Sequence, residues 1–167
     1  LGQAALEIRG SQPTVNFCTF YANGKGLTIT TGATPVINNN IFEANTIAPI
    51  ALSLNANPTF SFNNFFNNNR NGVQIEAYNY TGPANYTMRP IIVTNAGVST
   101  YFIKDDFTIN EDVTLTIEPG VVLKHDGHEF ENMMTVNGTL IAQGTESEPI
   151  IFTDIADDAY GGDTNND

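Results

Sequence analysis

The sequence predicts an all-β chain wound as a parallel β-helix of about 22 residues per coil, and two observations carry that expectation. The first is an internal repeat: Cys18-x-Phe20-x-x-Asn23 recurs as Asn40-x-Phe42-x-x-Asn45 and again as Asn64-x-Phe66-x-x-Asn69. The intervals from Phe20 to Phe42 and from Phe42 to Phe66 are nearly equal. So short a period cannot be a domain, and each copy is one rung that buries its apolar face against the next. The second observation is period-two alternation in short runs, Leu6-Glu7-Ile8, Leu27-Thr28-Ile29, Leu52-Ser53-Leu54 and Val73-Gln74-Ile75, each closed by Gly, Pro or Asn within a few residues.

Taken in order, each copy offers a run near Leu27, a second at Val36-Ile37 after Pro35 and a third around Phe42. That makes about three short strands per turn of chain. Strands of neighbouring coils lie about 4.8 Å apart, so like residues form columns. Leucine-rich repeats share the period, but their Leu consensus and helix-forming half are missing here. The asparagines fit the bends between strands, because Asn tolerates the left-handed conformation better than other non-Gly residues. Stacked, they form a ladder of amides, with Asn40 expected over Asn64 and Cys18 in the slot below as a small buried hydrophobe. Gly26 and Gly72 mark the re-entry into the next strand.

The chain has 167 residues, 41% of them hydrophobic, with no Trp and a single Cys. One cysteine permits neither an internal disulfide nor a Cys-x-x-Cys metal motif. No run resembles a transmembrane span or a signal peptide, so membrane insertion is not expected. The first residue is not Met and lies within a rung, and the last is as abrupt. Open β-helix ends would expose strand edges, so the expectation is a piece of a longer polypeptide whose remaining coils are its first partners.

Charge divides the chain. Residues 1–100 carry four basic and three acidic side chains, a balance of +1, and the remainder carries fifteen acidic against Lys104 and Lys124, a balance of −13. So acidic a body repels phosphate backbones, which argues against nucleic acid and in favour of cations as partners. Residues 1–77 read as Asn/Phe-rich coils, and residues 78–90, with two prolines and a Gly-Pro step, as an interrupting loop or lid. Residues 91–156 read as a second β-helical stretch: Val113-Thr114-Leu115-Thr116-Ile117 alternates, Pro119-Gly120 turns, Val136, Leu140 and Ala142 alternate again, and Pro149 to Thr153 forms another strand.

Leu115 to Lys124, Thr135 to Thr145 and Glu148-Pro-Ile-Ile-Phe-Thr153 together resemble a recurrent segment of large secreted right-handed parallel β-helix proteins of Bacteroidetes-type bacterial surfaces, many of them exported by the type IX secretion route. The resemblance covers roughly residues 91–163; the earlier coils are similar to generic pectate-lyase-like rungs. It implies a right-handed, single-stranded β-helix, an extracellular or cell-surface location, and a modular structural or adhesive role. Surface glycans and the export machinery are the partners it implies.

Catalysis is not expected. Glycoside hydrolysis needs two carboxyls on one face about 5–10 Å apart. Asp105-Asp106 and Asp157-Asp158 have the right chemistry, but neighbours on a strand point to opposite faces. Lyase chemistry needs a base and a cationic clamp on a uronate, and Lys104 and Lys124 stand in a field that repels uronates. The alternative is a carbohydrate-active β-helix protein that binds or cleaves polysaccharide with coils partly outside these residues. His125-Asp126-Gly127-His128-Glu129 offers metal-ligand types, yet Asp-Gly at its centre reads as a solvated turn. The sequons at Asn79, Asn85 and Asn137 are chance-level patterns if the source is bacterial. Ice binding wants a Thr-x-Thr ladder, and only Thr114-x-Thr116 fits.

Residues 157–167 form an acidic Gly/Asp/Asn loop. No cofactor is required by the fold, but Asp157, Asp158, Asp163, Asn165 and Asp167 are candidate calcium ligands, because they concentrate hard oxygen donors and their last three members alternate as at the start of a calcium loop. A solvated acidic linker is the competing expectation.

Overall fold

The computed structural model describes residues 3–76, 79–80, 84–93, 97–127 and 134–167. The first three coils are built from β1 (Ala4–Arg9), β2 (Thr14–Asn16) and β3 (Thr19–Tyr21), then β4 (Lys25–Thr30), β5 (Val36–Asn38) and β6 (Ile41–Glu43), then β7 (Ala48–Leu52), β8 (Thr59–Ser61) and β9 (Asn64–Phe66). They are followed by β10 (Val73–Ile75), β11 (Asn79–Tyr80) and β12 (Ala84–Met88), by β13 (Thr100–Ile103), β14 (Phe107–Ile109) and β15 (Val113–Ile117), and by β16 (Val122–His125), β17 (Met134–Val136) and β18 (Thr139–Ala142). β19 (Ile151–Asp154) starts another turn. The pairings between coils are parallel, and the result is a right-handed β-solenoid.

One seven-stranded sheet, β1-β4-β7-β10-β13-β16-β19, runs the length of the stack. Its inward register is Leu6, Leu27, Ile50, Val73, Tyr101, Leu123 and Phe152. Most of these steps are alike, close to the period that the repeat predicts. The other two walls change along the axis. The sheets β2-β5-β8 and β3-β6-β9 serve the first coils, and β11-β14-β17 and β12-β15-β18 the later ones.

The changeover falls within residues 78–90, where the prolines predict an interrupting loop. The described part of this segment instead contributes β11 and β12, and β12 pairs with β15 from Ala84↔Val113 to Met88↔Ile117. The coil here is longer than its neighbours, since Val73 has Tyr101 as its register partner. Ile92 then returns to bridge Ser61 at the end of the older wall.

The aromatic column exists, but its third member is Phe65 rather than Phe66. Phe20, Phe42 and Phe65 are in register, with ring centroids 4.7 Å and 5.3 Å apart. Such stacking adds about 0.5–1.5 kcal/mol per pair beyond the area buried. Phe66 lies over Glu43 and points outward, half-buried. Phe62 to Asn69 satisfies Asn-x-Phe-x-x-Asn in two frames one residue apart, and a slip of one residue reverses every side chain. The upstream strand decides. Phe60 packs inside over Ile37, whereas the other frame would turn Ser61 inward.

The same correction moves the amide ladders. Asn63, not Asn64, follows Asn40, and Asn68, not Asn69, follows Asn23 and Asn45. The Asn45 side chain shows how the ladder works. Its Oδ1 accepts from the amide of Asn23 at 3.1 Å, while its Nδ2 donates to Phe20 O at 3.0 Å and to Asn68 Oδ1 at 2.8 Å. Each ladder residue follows one held at positive φ: Asn39 and Phe62 at one bend, Ala22, Ala44 and Asn67 at the other. The amides thus satisfy backbone groups that the bends remove from the sheets, groups that would each cost about 1–3 kcal/mol if buried unpaired. Cys18 occupies the first slot of its ladder but is exposed, because it lies in the first coil and has no rung beneath it among the described residues.

Gly26 is where the wall closes on the column. A Cβ there would lie 2.6 Å from Pro49 O and 2.9 Å from a Phe42 ring carbon. In the later coils Val113, Leu115 and Ile117 of β15 point inward as their alternation requires.

Candidate functional site

The outward row of the long sheet reads Thr28, Ala51, Gln74, Phe102, Lys124 and Thr153. An outward Phe and an outward Lys should be wet, yet both are fully buried. The cover is the acidic C-terminal segment. After β19 the chain reverses and runs back down the outside of the stack, with Ile155 against Phe102 and Ala48. Gly161 and Gly162, both at positive φ, bring the backbone onto the sheet, where a Cβ on Gly161 would stand 3.0 Å from Thr100 and Val122. Ser99 N donates to Gly161 O at 3.0 Å and Asn71 N to Thr164 O at 2.7 Å. Residues 155–166 are therefore an ordered strap, and the expectation of a solvated linker fails.

Two interactions anchor it. Lys124 Nζ donates to the carbonyls of Asp157 at 2.7 Å and Gly162 at 2.6 Å, holding both limbs of the turn. Burial pushes the Lys124 ammonium below its ordinary range, and the carboxylates of Asp158, Asp157, Asp163 and Asp154 oppose that shift. At the far end Asn71 Nδ2 donates to Asn166 Oδ1 at 2.8 Å, and Asn166 Nδ2 donates to Asn68 O. The strap thereby closes the ladder that begins at Asn23. Ladder and strap are one polar system.

The five candidate ligands separate into groups. Asp158, Asp163 and Asp167 bring oxygens within 4.8 Å of one another. Asp157 is spent on the strap's own turn, where its carboxylate accepts from Thr153 Oγ1 at 2.6 Å and from Ala159 N at 3.0 Å. The Thr153 hydrogen bond holds the Asp157 carboxyl below the usual range, and the bond from Ala159 and nearby Lys124 act in the same direction. Asn165 Nδ2 donates to Asp167 Oδ2 at 2.9 Å, leaving its Oδ1 buried without a hydrogen-bond partner. The three carboxylates form a hard donor set suited to calcium over softer metals, and Asn165 is not among them.

Lys104, Asp105 and Asp106 are exposed and far from this cluster in the sequence. His125 ends β16 opposite Asp154, while His128 and Glu129 lie outside the described residues. Asp126 is not a free turn carboxylate: Arg70 grips it with two hydrogen bonds, at 2.8 and 3.1 Å. Sequence reasoning missed Lys124 as the anchor. The signal in the sequence was a single basic residue directly after the apolar run Val121 to Leu123.

No helix among the described residues is long and apolar enough to cross a membrane. No curated protein and no solved structure matches the chain. The pectate-lyase like beta helix domain matches residues 86–166, which begin at the changeover of walls. The right handed beta helix region matches residues 2–115, more than half of the sequence, and the chain belongs to that family.

Proposed function

We propose that the chain is a structural, adhesive β-helix module of a large secreted bacterial surface protein, without catalysis of its own. What supports this reading is how the buried polar side chains are used. The ladder asparagines, Lys124 and the Arg70–Asp126 pair are all committed to holding coils together. Groups fixed in this way are poor at moving protons. The extracellular or cell-surface location, type IX export and partnership with further coils rest on the resemblance of residues 91–163.

A second reading, a carbohydrate-active protein, draws on the match to the pectate-lyase like beta helix domain. Incubation with polygalacturonate or alginate separates the two. No unsaturated or reducing ends should form, with or without calcium. Turnover that vanishes in Lys104→Ala or Asp105→Ala would sink the non-catalytic reading.

Calcium has a structural place in this proposal, bridging Asp158, Asp163 and Asp167 at the end of the strap. Carboxylates so close repel one another unless a cation neutralises them. Calorimetric titration should give calcium binding heat that Asp163→Ala abolishes. Absence of heat at millimolar calcium would leave the strap held by hydrogen bonds alone.

A further inference from the structure

Among the described residues one sheet alone runs from the early coils to the late ones. β8 and β9 end the older walls, β11 and β12 begin the newer ones, and the long sheet carries the pairing across through β7, β10 and β13. Beside it stands the single bridge Ser61↔Ile92, closed by Ile92 N donating to Phe60 O at 3.2 Å and Phe62 N donating to Ile92 O at 2.6 Å. The apolar core continues through this seam. Next to it a cleft of about 220 Å³ opens between Thr59 and Phe60 of the older wall and Arg89 and Glu118 at the ends of β12 and β15, with the exposed Ile92 at its rim. Unfilled space of this kind forfeits packing contacts and leaves room for movement.

In a solenoid each coil contacts only its neighbours, so ties that skip a coil are not required by stacking. Here two such ties span the seam. The strap is the first. It is anchored after the seam, where Lys124 Nζ donates to Asp157 O and Gly162 O and Ser99 N to Gly161 O. It is anchored again before the seam, where Asn71 N donates to Thr164 O and Asn166 Nδ2 to Asn68 O. Ile155 of the strap packs on Ala48 of β7 and on Phe102 of β13, passing over β10. The second tie is the pair of hydrogen bonds from Arg70, in the bend before β10, to Asp126 at the end of β16.

The strap lies on the outward face of the long sheet, whereas the cleft lies on its inward side, where Tyr101 of β13 reaches in and donates its hydroxyl to Arg89 O at 2.8 Å. Bending that closes the cleft would lengthen the outward face. The strap resists that motion until its anchors part.

We propose that the changeover of walls is a hinge in the long sheet, and that the strap and the Arg70–Asp126 pair are the latch that holds it. Released, the early and late coils bend toward the cleft as two bodies. The device serves an adhesive or a carbohydrate-active protein alike.

Distances between the two ends of the full chain test it. Cys18, exposed in the first coil, and Ser147→Cys, exposed after β18, take nitroxide labels, and pulsed electron resonance gives their distance distribution. The latched chain should show one narrow distance. Arg70→Gln/Asn166→Ala, which cuts both ties, should give a distribution about twice as wide or wider, with amide exchange in β4 and β15 unchanged. Should that variant fail to fold, Asn166→Ala alone provides the comparison. An equally narrow distance in the unlatched chain overturns the hinge, and a broad distribution in the latched chain overturns the latch. Broadening accompanied by lost protection in β4 or β15 also overturns the proposal, because the ties would then only stabilise the coils they touch.

Discussion

Lys124→Ala is expected to destabilise the fold by about 3–5 kcal/mol, the sum of about 1–3 kcal/mol for each of two carbonyls left without a donor and the lost packing of the buried stem. The substitution strands the carbonyls of Asp157 and Gly162, which Lys124 Nζ now satisfies at 2.7 and 2.6 Å, and leaves Asp154, Asp157, Asp158 and Asp163 without their nearest cation. Lys124→Met, which keeps the apolar stem and the volume, should recover only the packing part of that loss. Amide exchange locates the damage: Ser99 and Asn71, whose N–H groups donate to Gly161 O and Thr164 O, should lose protection before the central strands do.

Acid should reproduce part of this effect. Asp157 is held below its unfolded value, so its contribution is complete above about pH 4 and is lost as pH falls through the lower folded value. Urea melts at several pH values in the wild type and in Lys124→Met check the sign. Unchanged stability in both variants would mean that the strap adds nothing to the fold.

Fold class was legible in the sequence because a solenoid writes its period directly into the chain. Phe20 and Phe42, the Leu27 strand and the alternation at Val113 to Ile117 each report a local rule that the stack then enforces. Register in the third coil was not legible from the motif alone, since Phe65-Phe66 flanked by paired asparagines fits two frames. The prolines upstream held the answer. Pro13, Pro35 and Pro58 each stand just before the strand positions Thr14, Val36 and Thr59 that the structure places in register, and counting on from Pro58 puts Phe65 in the column. Residues 78–90 misled for a different reason. Pro and Gly mark places where the chain turns, but they do not say whether a pairing partner such as β15 stands beside the next strand.

The acidic segment was legible as a cluster of oxygen donors but not as a strap. Its place depends on contacts between residues far apart in sequence, Asn71 with Asn166 and Lys124 with Gly162, which no local pattern encodes. Asp157 illustrates the consequence. By residue type it was a ligand, and by position it caps a turn.

Phe65→Ala carries the other large expected effect. Its ring stacks on Phe42 at 5.3 Å and is buried in the core, so its removal leaves a cavity against Phe42. A loss of about 3–5 kcal/mol follows, as for other buried Phe truncations. Phe66→Ala, one residue on, removes an outward side chain and should cost under about 1 kcal/mol.

Urea unfolding of these two variants side by side tests the central claim, that parallel coils in this register build the molecule and consume its polar side chains. A large shift in the midpoint is expected for Phe65→Ala and almost none for Phe66→Ala. The reverse order would place Phe66 in the column, return Asn64 and Asn69 to the ladders and contradict the register on which the amide ladders and the strap's hold on Asn68 depend.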